Sequence, residues 1–244
     1  MNQRLCMRLL SLLLALAAGF VMGRADPVIV VGIHRLAPDT DGQKVRVFVR
    51  GGGSVQGLNL NAQVADGGVA AGGQIAGPSV TAVDLITGTV FEGNAIGPDD
   101  PGSVPQLAMR TLTTASGTVV AEGLLATLTI DTTGFTSGVY RLALGATANG
   151  PTDFAGIPAA ITDGWLVVGL RITSIEVEGD ESILRFPTVA SYTYQIESTG
   201  NAGLEPWAPL GDPVLGTGSL WTFRDPGAAG RRSRFYRVVL LDLE

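Results

Sequence analysis

Cysteine is almost absent from this chain of 244 residues, because Cys6 is the only one. It stands ahead of an apolar run, where a lipid-attachment cysteine would not lie. Beyond residue 25 the chain can form no disulfide, thiolate nucleophile or cysteine–metal site. The fold must therefore be held by apolar cores, with bound cations as a further option.

Histidine is just as scarce, since His34 is the only one. A catalytic triad or an acid–base pair that uses imidazole would depend on it. No Gly-x-Ser-x-Gly motif accompanies it. We therefore interpret His34 as a structural or surface residue, and we assign no catalytic residue.

Acidic residues stand in pairs that a glycoside hydrolase could use. The pairs are Asp99 with Asp100, Asp180 with Glu181, and Asp39 with Asp41. All three have glycine or proline nearby, which indicates solvated turns, whereas a general acid needs burial to raise its pKa. We expect no enzyme, and a glycoside hydrolase is the least favoured alternative.

The segment Asp39-Thr-Asp41-Gly42 is similar to the start of a calcium loop. An EF-hand loop needs a glutamate eleven residues after its first aspartate, and that position is Arg50. The EF-hand is therefore excluded. A looser calcium site that uses backbone carbonyls stays open, no metal ligand is named, and no other cofactor is expected.

The N-terminus has the pattern of a secretory signal peptide. Two arginines precede an apolar run from Leu9 to Val21, and the small residues Gly23 and Ala25 follow it. The run is shorter than the roughly 20 apolar residues of a membrane span, so an uncleaved anchor is the less favoured alternative. We predict a signal peptide at residues 1–25 and a bacterial protein that is extracellular or held at the cell surface, with no membrane span after cleavage.

Positive charge is scarce once this segment is removed. Residues 1–25 hold three arginines and no acid, so the formal charge of −6 becomes −9. This balance argues against nucleic acid and against an anionic membrane as a partner.

What the chain has in abundance is glycine between alternating segments. Its 34 glycines are about twice the usual share. Apolar residues recur every second position in three segments: Val45, Val47 and Val49; Leu58, Leu60, Ala62 and Val64; Leu124, Ala126, Leu128 and Ile130. Alternation with a period of two predicts strands with one buried side. The sequence therefore predicts an all-β chain without a convincing helix.

The same reasoning divides the chain. Strands are predicted at 80–91 and 107–113, with loops at 65–79 and 93–106. Charged and aromatic residues become denser after about residue 169. We predict a β-sandwich at 26–168 and a small β-domain at 169–244, which would be only marginally stable alone and is therefore expected to pack against the first.

Two stretches resemble a known group of domains. "VRVFVRGGGSVQGLNLNAQVADGG" and, later, "GLLATLTIDTTGFTSGVYRLAL" resemble the cohesin-like members of the carbohydrate-binding-module group of β-sandwiches. The resemblance covers about residues 28–168 and implies a jelly-roll sandwich with a binding role. "TYQIESTGNAGLEPWAPLG" and "SRFYRV" resemble a small C-terminal β-domain of secreted bacterial proteins, which implies a second, smaller sandwich without assigned chemistry.

Aromatic residues are the candidate ligand contacts. Flat rings in a row can stack on sugars, and the chain offers Trp165, Trp207 and Trp221 together with Tyr140, Tyr192 and Tyr194. For most of these, core or interface packing is the better interpretation. Trp207, between Pro206 and Pro209, is predicted to be the most exposed and is the candidate ligand-binding residue.

These observations favour a secreted, non-enzymatic binding or scaffold protein. The partner is either a polysaccharide or another secreted or cell-surface protein. A structural protein of the envelope or matrix is a further alternative.

The signal-peptide hypothesis predicts that the exported protein begins between Arg24 and Asp26, because the chain turns from small apolar residues to polar ones there. Mass spectrometry of the exported protein measures this directly. A membrane-bound form that still begins at Met1 would contradict it.

Overall fold

The computed structural model describes residues 26–203 and 206–241. The predicted signal peptide at 1–25 lies outside the described residues. Across 26–203 and 206–240 the only helical element is a 3-10 turn at Val69–Ala71, and all other regular structure is strand. The prediction of an all-β chain is confirmed.

The first unit contains fifteen strands. They are β1 (Val28–Val30), β2 (Ile33–Leu36), β3 (Gln43–Arg50), β4 (Ser54–Val55), β5 (Gly57–Val64), β6 (Ser79–Asp84), β7 (Ile96–Asp99), β8 (Leu107–Thr113), β9 (Val119–Val120), β10 (Gly123–Asp131), β11 (Gly138–Ala143), β12 (Asp153–Phe154), β13 (Ile157–Pro158), β14 (Ala160–Thr162) and β15 (Gly164–Val168).

The second unit follows after a short connection. Its strands are β16 (Ser174–Glu178), β17 (Glu181–Pro187), β18 (Thr193–Thr199), β19 (Ala208–Pro209), β20 (Val214–Leu215), β21 (Leu220–Asp225) and β22 (Phe235–Leu240).

Two sheets of the first unit form a β-sandwich. One has five strands in the order β14-β1-β3-β10-β6. The other has eight, in the order β13-β12-β5-β11-β15-β2, with β8 and then β7 beside β5. Because β1 pairs with β14 and β2 pairs with β15, the N-terminal segment contributes a strand to each sheet, and both pairings are parallel. This is the predicted jelly-roll sandwich.

The alternation of β3 and β5 builds the core between the sheets. Val45, Val47 and Val49 are buried, while Arg46 and Phe48 are exposed on the other side of β3. The predicted inward residues of β5 are all buried: Leu58, Leu60, Ala62 and Val64. Successive side chains of a strand point to opposite faces, so this pattern specifies which side each sheet buries.

β10 departs from the predicted alternation at its beginning. Its pairing with β3 shifts register between Leu124 and Ala126, so Leu125 and Ala126 are both buried. Leu124 instead pairs with Phe48 on the outer side of the sheet. The prediction that Leu124 shares the inner side with Ala126 is wrong, because a β-bulge inserts one extra residue here.

The connection from β10 to β11, which crosses from the five-stranded sheet to the eight-stranded sheet, anchors a second loop. Thr132 is buried, and its hydroxyl oxygen lies 2.8 Å from the carbonyl oxygens of both Ala37 and Thr40. The same oxygen accepts a hydrogen bond from Gln43 Nε2 at 3.0 Å. This connection therefore positions the loop that enters β3.

Two boundaries predicted in the middle of the chain are wrong. The strand predicted at 80–91 ends at Asp84, because the Asp84 carboxylate accepts hydrogen bonds from the backbone N–H groups of Ile86 and Thr87 and starts a turn. The loop predicted at 93–106 contains β7, which pairs with β8. The strand predicted at 107–113 is β8 with the same bounds.

The second unit consists of two small sheets. β16, β17 and β21 form one, in that order, and β18 forms the other with β22 on one side and β19 and β20 on the other. Leu184, Phe186, Tyr194, Ile196, Val238 and Leu240 are buried between them.

The core of the second unit extends onto the first unit. Val167 of β15 is buried in the same cluster as Leu184 and Phe186, and Val139 and Trp165 pack against that cluster. Val139 pairs with Val167 across β11 and β15, so these side chains share the outer side of the eight-stranded sheet. The second unit thus covers part of that outer side.

Gly169 makes the exit from β15 possible. Its φ of +72° lies in the left-handed region, and a Cβ added there would lie 2.2 Å from the carbonyl oxygen of Thr136. Its N–H donates to the carbonyl oxygen of Leu36 at 3.0 Å. Glycine is required here because the chain must turn between the units in contact with the backbone of the first.

Gly169→Ala should therefore destabilise the protein more than Gly179→Ala. Gly179 also has positive φ, at +63°, but nothing lies within 4 Å of an added Cβ. Its substitution should cost about 1–2 kcal/mol, whereas Gly169→Ala should cost about 2–5 kcal/mol because overpacking is added. Urea unfolding of both variants measures the difference, and equal losses would contradict the close contact.

Candidate binding face

The outer side of the five-stranded sheet points away from the core, and we call the side chains on it the open face. It consists of the outward residues of β14, β1, β3, β10 and β6: Ala160, Thr162, Val28, Val30, Lys44, Arg46, Phe48, Arg50, Leu124, Thr127, Thr129, Ala82 and Asp84. The inward residues of the same strands are core. The open face is therefore the outer side of a sheet whose inner side forms the core of the sandwich.

An apolar row crosses the open face. Val30 pairs with Phe48, and Phe48 pairs with Leu124, so three apolar side chains stand next to one another on neighbouring strands. Phe48 is 52% exposed, although the row around it is half-buried. Directly paired side chains on one face touch, so the row forms a continuous apolar strip with Phe48 at its centre.

Leu124 is the member of this row that sequence reasoning missed. The alternation of β3 predicts Phe48 on the wetter side, but Leu124 joins it only because of the bulge in β10. Leu124 and Leu125 are consecutive apolar residues that interrupt the period of two, and this interruption is the sequence feature that indicates a bulge.

Cations of β3 flank the apolar row. Lys44, Arg46 and Arg50 are exposed, and within the part of the chain that the structure describes none of them makes an ion pair. Lys44 Nζ donates to Thr129 Oγ1 at 2.6 Å. By contrast, six other arginines pair with carboxylates: Arg110, Arg141, Arg185, Arg224, Arg234 and Arg237. The open face thus carries local positive charge on an acidic protein.

Core packing, which the sequence favoured over a sugar-stacking row, is found for two of the three tryptophans. Trp165 is half-buried against the second core, with its ring edge-on to Tyr192 at a centroid distance of 6.5 Å. Trp221 of β21 also packs against that core. Two of the three indole rings therefore serve packing, as the sequence predicted for them.

Trp207 is half-buried, and one side of its ring is covered. The guanidinium carbon of Arg237 lies 4.7 Å from the ring centroid. Glu197 holds that guanidinium, because its Oε2 accepts from Arg237 Nε at 2.6 Å. Only the opposite side of the indole ring and its edges are left for a ligand.

The remaining tyrosines add no stacking platform to Trp207. Tyr194 is buried in the second core and packs at 5.9 Å from Phe186. Tyr140 lies edge-on to Phe135 at 5.8 Å, and burial raises the pKa of its hydroxyl.

His34 is structural in its contacts. Its Nε2 lies 2.7 Å from the carbonyl oxygen of Val31, on the turn between β1 and β2. Burial lowers the pKa of the imidazole, and the hydrogen bond to Val31 opposes this only in part.

The acids of the three pairs lie in turns or at the ends of strands, as Asp99 does in β7 and Glu181 in β17. Asp100 accepts backbone hydrogen bonds from Ser103 and Gly102 and pairs with Arg110 at 2.5 Å. The Ser103 N–H chiefly, and Arg110 in addition, lower the pKa of Asp100 to about 2. Glu181 pairs with Arg224 at 3.0 Å. A lowered pKa is the opposite of what a general acid requires.

A cleft of about 520 Å³ lies where the two units meet. Asp39 and Arg171 are the charged residues of its lining, and they form no ion pair with each other. Asp39 Oδ1 accepts the N–H of Gly134 at 2.9 Å. The cleft therefore does not bring two carboxylates together.

Metal and membrane sites receive no support from the described residues. Within 26–203 and 206–241, no group of three or more His, Cys, Asp or Glu side chains is arranged to hold a metal ion. In the same residues no helix is long and apolar enough to cross a membrane.

Comparisons with known proteins give distant likenesses in fold. No protein-family model matches the chain, and no curated protein matches it. Among solved structures, a non-cellulosomal cohesin from the hyperthermophilic archaeon Archaeoglobus fulgidus is 16% identical with a TM-score of 0.40, over 59% of this chain and 91% of the cohesin. A chain of the crystallised CaDoc0917–CaCohA2 complex is 19% identical with a TM-score of 0.39, over 58% of this chain and 99% of the other. At this distance the surface of the chain itself is the better guide to function.

The stacking of Arg237 on Trp207 predicts a measurable coupling. In a double-mutant cycle of Trp207→Ala and Arg237→Ala, the interaction free energy should be about 0.5–1 kcal/mol, the usual value for an exposed cation–π pair. Urea unfolding of the two single variants and the double variant measures it. Additive losses would show that the guanidinium leaves the ring in solution, and both sides of Trp207 would then be open to a ligand.

Proposed function

We propose that the chain is a secreted, non-catalytic binding module whose open face takes an acidic surface of another secreted or cell-surface protein. The observation that supports this most is the apolar row of Val30, Phe48 and Leu124 beside three cations without ion pairs.

The composition of the face favours a protein over a glycan. Binding energy at protein interfaces concentrates in a few aromatic and arginine residues, and apolar neighbours exclude water around them. Phe48 with Val30, Leu124 and Arg46 has this composition. Glycan binding would instead need several flat rings, and Phe48 is the only aromatic residue among those that form the open face.

The charge of the face favours an acidic partner. Lys44, Arg46 and Arg50 make no ion pair among the described residues, although Asp84 on the same face attracts Lys44 at longer range, so a partner's carboxylates can pair with these cations without breaking an existing ion pair. Complementary charge increases the rate of encounter and rejects partners of the same sign. It also makes the association depend on salt.

A polysaccharide that stacks on Trp207 is the alternative. Its support is the half-exposed indole ring, which Arg237 and Glu197 hold in a fixed position. A ring that is fixed before binding loses little entropy when a sugar covers it.

The first experiment places a photo-reactive side chain at residue 48 and, as a control, at residue 235. Phe235 is exposed to a similar degree, 46% against 52%, but belongs to the second unit. Cross-linking in the producing culture should give one specific product from position 48 and none from position 235. No product from position 48, or equal yields from both positions, would contradict the proposal.

The affinity of the purified chain for the cross-linked partner then tests which residues contribute to binding. Phe48→Ala should weaken binding by about 30-fold, which corresponds to about 2 kcal/mol for a residue at the centre of an interface, whereas Phe235→Ala should not. Arg46→Glu should weaken binding further as salt is lowered, because it replaces attraction by repulsion. If Phe48→Ala binds normally while Trp207→Ala loses retention on insoluble glycans, the polysaccharide alternative is the correct one.

A further inference from the structure

β16 forms an edge of the second unit that no other strand covers. Its five residues pair only with β17, and within the described residues no strand lies on its other side. An open edge presents unpaired backbone N–H and C=O groups to any strand that approaches.

The apolar side of β16 is also uncovered. Ile175 pairs with Leu184 in β17, so both side chains point toward the second core. Leu184 is fully buried, but Ile175 is 54% exposed, and Val177 on the same side is 64% exposed. The opposing sheet therefore ends before it reaches β16.

The other side of β16 carries two acids, Glu176 and Glu178, each of which lies near an arginine of the same sheet. Glu176 pairs with Arg185 of the neighbouring strand. Arg224 lies 3.0 Å from Glu181 and 3.6 Å from Glu178. These intramolecular pairs reduce the repulsion that acidic residues would otherwise direct at an incoming strand.

Other edges of the molecule are protected in ways that β16 is not. β7 contains Pro98, and the N–H of Val80 at the edge of β6 donates to the carbonyl oxygen of Pro105 at 2.7 Å. On β21, the opposite edge of the same sheet, Trp221 and Phe223 pack against the second core. Proline, charged side chains (lysine above all), bulges and covering segments are the usual protection of an edge, and of these β16 has only Glu176 and Glu178, with no proline, no lysine and a regular register.

We propose that β16 pairs antiparallel with β16 of a second copy of this chain, so that the two three-stranded sheets join across a two-fold axis. The sequence Ser174-Ile-Glu-Val-Glu178 has the same alternation in both directions about Glu176. A two-fold at Glu176 places Ile175 opposite the partner's Val177, and Val177 opposite the partner's Ile175. Four exposed aliphatic side chains then cover one another on the core side.

This self-pairing is independent of the open face, which lies on the first unit. It predicts a dimer of the full exported chain, observed by sedimentation velocity over a range of protein concentrations. Val177→Lys should raise the dissociation constant at least tenfold, because it puts a cation into the aliphatic contact. Val120→Lys is the matched control, since Val120 is 60% exposed on the separate ribbon of β4 and β9, and it should leave the dimer unchanged.

A cross-link tests the register. In a Cys6→Ser background, Glu176→Cys places two thiols opposite each other at the axis, where directly paired Cα atoms of antiparallel strands are close enough for a disulfide. Mild oxidation should give a covalent dimer rapidly, whereas Val120→Cys should give little. A chain that stays monomeric, a dimer that survives Val177→Lys, or equal cross-linking at positions 176 and 120 would each overturn the proposal. Phe48→Ala should leave the dimer intact, which separates this test from that of the open face.

Discussion

The burial of Val167 by the second unit determines which surfaces this molecule can use. Val167 and Trp165 project from the outer side of the eight-stranded sheet, and their contacts with the second core occupy that side. An apolar sheet face that is left in water costs free energy. Docking of the second unit removes one of the two outer sides of the sandwich from water. The outer side of the five-stranded sheet receives no such cover from the described part of the second unit, and Phe48 there is exposed. Its row of Phe48, Val30 and Leu124 is therefore available to another molecule.

The small size of the second unit explains why β16 stays partly uncovered. A unit of this size has too little apolar surface to close two sheets on itself. Its core is completed by three residues of the first unit: Val139, Trp165 and Val167. At β16, Ile175 and Val177 extend past the opposing sheet and stay exposed. The open face and β16 thus both stay exposed because the second unit has too little apolar surface to cover them.

The amino-acid sequence was sufficient to predict the class of fold, because a period of two is a local property. Val45, Val47 and Val49 are buried and Arg46 is exposed as that period requires. Local pattern fails where the backbone changes register. The bulge at Leu124 reverses one side chain, and the Asp84 carboxylate ends a strand that the apolar pattern would continue.

The candidate surfaces were harder to predict than the fold, because the exposure of a side chain depends on contacts with segments that are distant in the sequence. Trp207 was singled out from its flanking prolines, but its stacking under Arg237 depends on a strand thirty residues further along the chain. Ile175 and Val177 look like ordinary inward residues of a strand, and their pairing with β17 confirms the side on which they lie. Only the extent of the opposing sheet shows that they stay exposed. The charge on the open face could be read from β3, whereas the lack of ion pairs there required the positions of all described carboxylates.

Two surfaces on separate units are compatible with each other in one assembly. A dimer joined at β16 would carry two open faces, one on each first unit, and the docking at Val167 would hold each face in a fixed relation to the axis. The open face alone is a single row of apolar side chains with flanking cations, which suits a modest affinity. Two such faces on one particle convert a second binding event into an intramolecular one, provided that the partner presents its acidic surfaces at a matching spacing. Edge pairing would then increase the overall affinity, because a dimer could bind with two open faces to a target that repeats its acidic surface. A cell surface or a polymeric secreted protein is such a target.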